Sequence, residues 1–268
     1  MLIAGYVSSL IMGIILGLIG GGGSILIIPI LVYLFQIPPA LATTYSLFIV
    51  GFTSLVSSIG YLQQGLINFK TGLIFAVPSI LGVFVTRQYV LPNIPEIIIS
   101  FGSLIFGKNL LIMFVFAVVM ILASFSMIKK STLVLDPKDS SGIATTLVAL
   151  EGFVIGSVTG FVGAGGGFLI IPVLVKLVKL TMKQAVGTSL MIITVKSLLG
   201  FIGDLSHTQS IDWGFILLFS AISMTGSISG VYATRYISGE QLKPVFGWFV
   251  LLMGSFVIFK ELGILLMP

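Results

Sequence analysis

The strongest constraint in this chain is a series of apolar windows, each about as long as a bilayer is thick. A spanning helix needs about 20 mostly apolar residues. Six stretches meet that length between polar or Gly/Pro-rich joints, near residues 40–62, 71–91, 109–128, 183–205, 213–234 and 243–265. Of the 268 residues 57% are hydrophobic and only 8% charged, too little charge to cover a water-facing surface. A bilayer accepts apolar side chains on the outside of the fold, so the chain reads as an all-α integral membrane protein with lipid around it. The net charge of +5 comes from scattered Lys and Arg, without a basic patch interleaved with aromatics, so nucleic acid is not an expected partner. The absence of cysteine excludes disulfides, thiolate metal ligands and a Cys nucleophile. The N-terminal MLIAGYVSSLIMG has no basic lead and is read as part of the mature fold.

Two further apolar stretches, 4–35 and 144–178, are too long for simple spans, and each is cut near its middle by glycines. The cuts are Gly20-Gly21-Gly22-Gly23 and Gly163-Ala164-Gly165-Gly166-Gly167. Consecutive glycines break a helix, because backbone entropy is lost with no side chain to compensate. The same stretches carry an internal repeat. Residues 13–47 align without gaps on 156–190, with Gly13, Gly17, Gly20, Gly22, Gly23, Leu26, Ile27, Ile28, Pro29, Leu31, Ala42, Ser46 and Leu47 recurring. Farther on, Gly82-Val83-Phe84-Val85-Thr86-Arg87 returns as Gly230-Val231-Tyr232-Ala233-Thr234-Arg235. The expected organisation is a first membrane repeat over 1–128, a linker over 129–143 and a second repeat over 144–268. The first copy has extra residues around Pro92, Pro95 and Ile97-Ile98-Ile99, read as an interfacial segment.

These residues resemble the sulfite exporter TauE/SafE family of membrane permeases. The resemblance rests on the glycine-rich element ending in Pro in both halves, GLIGGGGSILIIPIL and GFVGAGGGFLIIPVL, and on Ala185-Val186-Gly187-Thr188-Ser189-Leu190. It rests also on Gly203-Asp204 followed by Trp213. The first half departs from the pattern, with Thr44-Tyr45-Ser46 in place of Gly-Thr-Ser. Membership implies movement of sulfur-containing or small organic anions such as sulfite or sulfonates.

Topology follows from where Lys and Arg fall in short loops. If 4–35 and 144–178 each cross once, the loop charges split 7 against 5, which decides nothing. If each is a re-entrant hairpin bent at its glycines, every half makes an odd number of crossings and the halves are inverted. The split becomes 9 against 3, with Lys196 left inside the membrane. Lys70, Lys129, Lys130, Lys138, Lys176, Lys179, Lys183, Arg235 and Lys243 then face the cytoplasm. The expected fold is two inverted repeats, each a glycine-broken hairpin plus three spanning helices. It lies in the cell (inner) membrane with both termini outside and 129–143 cytoplasmic.

Broken helices in inverted repeats are a recurring way for secondary transporters to hold a substrate, since free N–H groups and positive dipole ends face the ligand. The expected site is an anion held near the midplane by backbone amides of residues 21–25 and 164–168, with Gly21, Gly22, Gly23, Ser24, Ala164, Gly165, Gly166 and Gly167 around it. A side chain at Gly165 would enter that space. The plainer reading is helix packing, preferred outright for Gly13, Gly17, Gly156 and Gly160. A soluble phosphate loop lacks its Lys here.

Lys196 lies deep in a span, where a lone cation is costly. It either supplies charge to the anion or pairs with Glu151, itself a candidate for a coupling proton. Thr44, Ser46, Thr188 and Ser189 could add donors, although hydroxyls in membranes more often bond their own backbone. His207 stands alone and no metal or other cofactor is expected; Asp204 and Asp212 read as solvated helix-end groups. A cation transporter or channel would call for a ring of intramembrane carboxylates, and only Glu151 is present. A membrane enzyme would need a nucleophile with a base or a ligand cluster, and neither HExxH nor GxSxG occurs. Secondary transport of a small anion is the leading expectation; the oligomeric state is open.

Overall fold

The structure is a computed structural model that describes residues 2–101, 104–128, 141–205, 211–236 and 239–266. Its helices are α1 (Leu2–Ile19), α2 (Ile27–Pro29), α3 (Pro39–Gln63), α4 (Phe69–Val85), α5 (Leu91–Asn93), α6 (Lys108–Ile128), α7 (Ser141–Val162), α8 (Gly167–Lys176), α9 (Met182–Asp204), α10 (Trp213–Ala233) and α11 (Gly239–Leu266). Among the described residues five helical runs are long and apolar enough to cross a membrane: Pro39–Gln63, Phe69–Asn93, Lys108–Phe125, Met182–Asp204 and Trp213–Ala233. They coincide with five of the six apolar windows, and the sixth lies within α11. Their outward side chains, such as Val77, Leu81, Leu122, Leu217, Leu252 and Phe259, are exposed and apolar, as a lipid solvent allows. The chain is a helical integral membrane protein.

Local chemistry sets the helix starts. Asn68 accepts the Thr71 N–H at 3.0 Å to begin α4, and Asp212 accepts the Phe215 N–H at 3.0 Å to begin α10. Thr181 and Gln184 close a reciprocal capping box on α9. Pro39 occupies the first turn of α3, where its missing N–H is harmless. One element departs from the all-α expectation. Ile97–Phe101 (β1) and Leu104–Gly107 (β2) pair as an antiparallel hairpin, with Ile99 opposite Phe106 and Phe101 opposite Leu104. Pro95 keeps a helix from continuing into this segment, and the pairing of β1 with β2 holds the isoleucines extended.

Each glycine-broken stretch doubles back. A side chain on Gly23 would strike the α1 backbone at Leu16 N, and one on Gly5 would strike the ring of Phe35, so the arm that follows the break returns along α1. That arm is a 3-10 turn at Gly23–Ile25, then α2, then a π turn at Ile30–Leu34. In the second stretch Gly166 packs on Thr159, and α8, 10 residues or about 15 Å long, leads back. The second arms begin at Gly23 and Gly167, one residue before the expected Ser24 and Phe168.

Around these hairpins α3 and α9 run antiparallel. Thr44 at the start of α3 bonds Asp204 at the end of α9, Ser54 meets Thr194 at 3.0 Å, and Tyr61 faces Gly187 near the start of α9. Helix α1 lies parallel to α10, with Gly13 on Ser223 and Gly17 on Ser227. Helix α4 lies parallel to α7, with Ser79 against Gly156 and Val83 against Gly160. All four of these glycines admit a neighbouring backbone, the packing role expected of them. Residues 129–140 of the expected linker, His207 and the two terminal residues lie outside the described residues, and 141–143 already belong to α7.

Candidate functional site

The two breaks meet. Gly20 and Gly163, equivalent in the repeat, both end their helices in the left-handed region, at φ 77° and 79°, where glycine is nearly the only residue free of strain. Each carbonyl exposed by this turn is bonded by a serine from the opposite repeat. Ser189 Oγ donates to Gly20 O at 2.8 Å, and Ser46 Oγ to Gly163 O at 2.5 Å. Both hydroxyls also lie within reach of their own helix carbonyls, Val186 O at 2.8 Å and Thr43 O at 2.7 Å. Gly21 and Gly167 abut so closely that a Cβ on either would enter the other's backbone.

Beyond the breaks, Ile25 and Leu26 use Gly22 O and Gly23 O, while Leu169 and Ile170 use Gly166 O. The N–H groups just before them, at Ser24, Gly167 and Phe168, open the second arms, the position at which a helix start leaves donors without an intrahelical partner. The halves differ in detail. Gly165 and Gly166 are left-handed, at φ 39° and 74°, whereas the first break runs into its 3-10 turn, with Ser24 Oγ on Gly21 O at 2.7 Å and within 3.4 Å of Ala164 O. Gly165 does not border open space: its Cβ would lie 2.6 Å from Val50 Cγ1 and 3.1 Å from Ser24 Cβ. A bulky residue there would therefore disturb packing before it met any ligand.

Lys196 reaches this junction from α9. Its side chain is 1% exposed, and Nζ donates to Thr159 Oγ1 at 2.7 Å. A Cβ on Gly166 would sit 3.0 Å from Nζ, so the missing side chain leaves the ammonium its place beside the break. Among the described residues no carboxylate pairs with it. The alternative of a Lys196–Glu151 pair is thereby corrected: Glu151 lies two helical turns from Thr159 on α7, the charge that acts on it is Lys176, and its Oε2 has no partner. The repeat counterpart of Lys196, Thr53, donates to Ser223 Oγ at 3.0 Å and brings no charge.

Thr44 and Thr188 stand away from the breaks. Thr44 Oγ1 donates to Asp204 Oδ2 at 2.6 Å, and Thr188 Oγ1 accepts the Asn68 N–H at 3.0 Å. The structure also joins two residues that sequence reasoning kept apart. Asp204, read as solvated, is 6% exposed and forms an ion pair with Arg87, which is 3% exposed. Burial removes Arg87 from the loop charges opposite the nine cations expected to face the cytoplasm, which sharpens that expected asymmetry. Its place in the repeated Gly82–Arg87 motif and the Gly203-Asp204 pair were the available signals; their partnership spans 117 positions and is visible only in the fold.

Comparison with known proteins agrees with this architecture. The model of the family described as "Sulfite exporter TauE/SafE" matches residues 6–257. A "Probable membrane transporter protein" of Xylella fastidiosa is 28% identical over 256 residues, covering 94% of this chain and 92% of that protein. The "Probable membrane transporter protein YunE" of Bacillus subtilis is 28% identical over 279 residues, covering 95% and 96%. No solved structure matches the chain.

Proposed function

Because the chain belongs to the sulfite exporter TauE/SafE family, whose curated relatives are membrane transporters, we propose that it is a secondary exporter of small sulfur-containing anions such as sulfite or organosulfonates. The anion sits between the two glycine breaks. One observation carries this reading: Lys196 is a buried cation at the junction of the breaks with no carboxylate partner among the described residues. A lone charge at that depth calls for a counter-ion or water, and the helix starts of the second arms, which direct N–H groups and a positive dipole end toward the break, favour an anion in the same place. Gly21–Ser24 and Ala164–Gly167 surround the anion with backbone, Ser46 and Ser189 hold the breaks open, Thr44 ties α3 to the end of α9, and Thr188 ties the start of α9 to the start of α4. Glu151, with one oxygen unpartnered, carries the coupling proton.

Transport proceeds by alternating access between two inverted repeats, 1–128 and 144–268, joined by a cytoplasmic 129–143, with both termini outside the inner membrane. The antiparallel course of α3 and α9 supports inversion, because these helices occupy equivalent positions in the two repeats. So does the exchange of α1 on α10 for α7 on α4. In proteoliposomes, uptake across a panel of sulfite, thiosulfate, sulfonates and carboxylates is expected to favour sulfite and sulfonates; carboxylate uptake alone contradicts the assignment.

A further inference from the structure

Eight residues beyond Lys196 along α9, about 12 Å by helical rise, Asp204 closes one end of the bundle. Arg87, on the π turn at Thr86–Val90 that prolongs α4, gives Nη1 to Asp204 Oδ2, and Thr44 donates to the same oxygen. The rest of this guanidinium is unused: Nε and Nη2 are buried and have no hydrogen-bond partner. Arg87 also lines a cavity of about 30 Å3, together with Ile80, Val83, Leu199, Gly200 and Gly203. That is room for a water or for the oxygens of an anion head, not for a whole organic anion.

Stability does not require a buried ion pair here, since desolvation can cancel its attraction. The other end of the bundle shows the alternative. At the position equivalent to Asp204 stands Tyr61, buried and donating to Gly17 O at 3.1 Å, while the equivalent of Arg87, Arg235, is exposed over the ring of Tyr232. The charged arrangement is therefore special to one end. The Nε and Nη2 donors form the parallel fork that fits two oxygens of a carboxylate, sulfite or sulfonate. On α3, Thr44, bound to Asp204, and Ser46, bound to the break at Gly163, lie two residues apart on opposite sides of the helix, so one stretch of α3 touches both.

We infer that Arg87 is a second oxyanion site at this end of the bundle, where the anion binds the free guanidinium fork and competes with Asp204, which holds Nη1, for the positive charge. The ligand class rests on the proposed function; the site does not. Sulfite titration of the purified full chain tests it. Asp204→Asn removes the competitor and is expected to bind sulfite at least threefold more tightly. Arg87→Gln is expected to bind at least tenfold more weakly, and Arg87→Lys, which keeps the charge without the fork, to fall between Arg87→Gln and wild type. The double variant Arg87→Gln/Asp204→Asn leaves no orphaned charge and is expected to stay folded and bind weakly. Wild-type affinity in the double variant would mean a purely structural pair and overturn the inference, as would an unchanged or weaker affinity in folded Asp204→Asn. Failure of the central site has a different mark: Lys196→Met would bind sulfite as wild type does, while the order within the Arg87 and Asp204 series would persist.

Discussion

At the scale of single residues, the site is made by what is missing as much as by what is present. Gly166 has no side chain to displace the Lys196 ammonium, and Gly20 and Gly163 turn left-handed so that α1 and α7 can stop at the tip of each hairpin. Alanine at Gly20 or Gly163 adds left-handed strain of about 1–2 kcal/mol and pushes a methyl group into Val186 or Thr43. Each variant is expected to unfold at a clearly lower temperature than wild type, and unchanged melting of both would refute the strained turns. The glycines were legible in the sequence because a run of them has one mechanical meaning. The hydroxyls were not: Ser46 and Ser189 bond carbonyls 117 and 169 positions away, and no local pattern encodes a partner at that distance. Asp204 was misread for the same reason, since an acid at a helix end is ordinarily solvated and only Arg87 on another helix makes its burial tolerable.

At the scale of elements, bilayer thickness is a ruler that sequence reads well, and the apolar windows fall on α3, the run from α4 to α5, α6, α9, α10 and α11 to within a few residues. The doubling back was legible for a related reason: each stretch is too long for one span and is cut near its middle by glycines that break a helix. The β-hairpin at 97–107 was not, because three isoleucines suit a membrane helix as well as a strand and the pairing of β1 with β2 decides between them. The doubling back of the first stretch has a direct consequence in this cysteine-free chain. Single cysteines at Ile3 and Gln36, both exposed, should be labelled by an impermeant thiol reagent from the same face of intact cells, and one at exposed Lys179 only from the other. Labelling of positions 3 and 36 from opposite faces would make 4–35 a spanning segment.

At the scale of the whole molecule, two copies of one element set enclose a junction whose glycine turns match and whose charges do not. Ser46 and Ser189 mirror each other, as do Gly20 and Gly163, but the position of Lys196 is held by Thr53 in the other repeat and that of Asp204 by Tyr61. Duplication supplies the frame, and single substitutions within it supply the chemistry. The account stands on the claim that the buried ammonium awaits an anion. Calorimetric titration of sulfite into purified wild type and Lys196→Met tests that claim most directly, because methionine keeps much of the side-chain length and removes only the charge. Affinity in a folded Lys196→Met variant is expected to fall at least about tenfold, roughly 1.4 kcal/mol, and equal affinity in the two proteins would contradict the account.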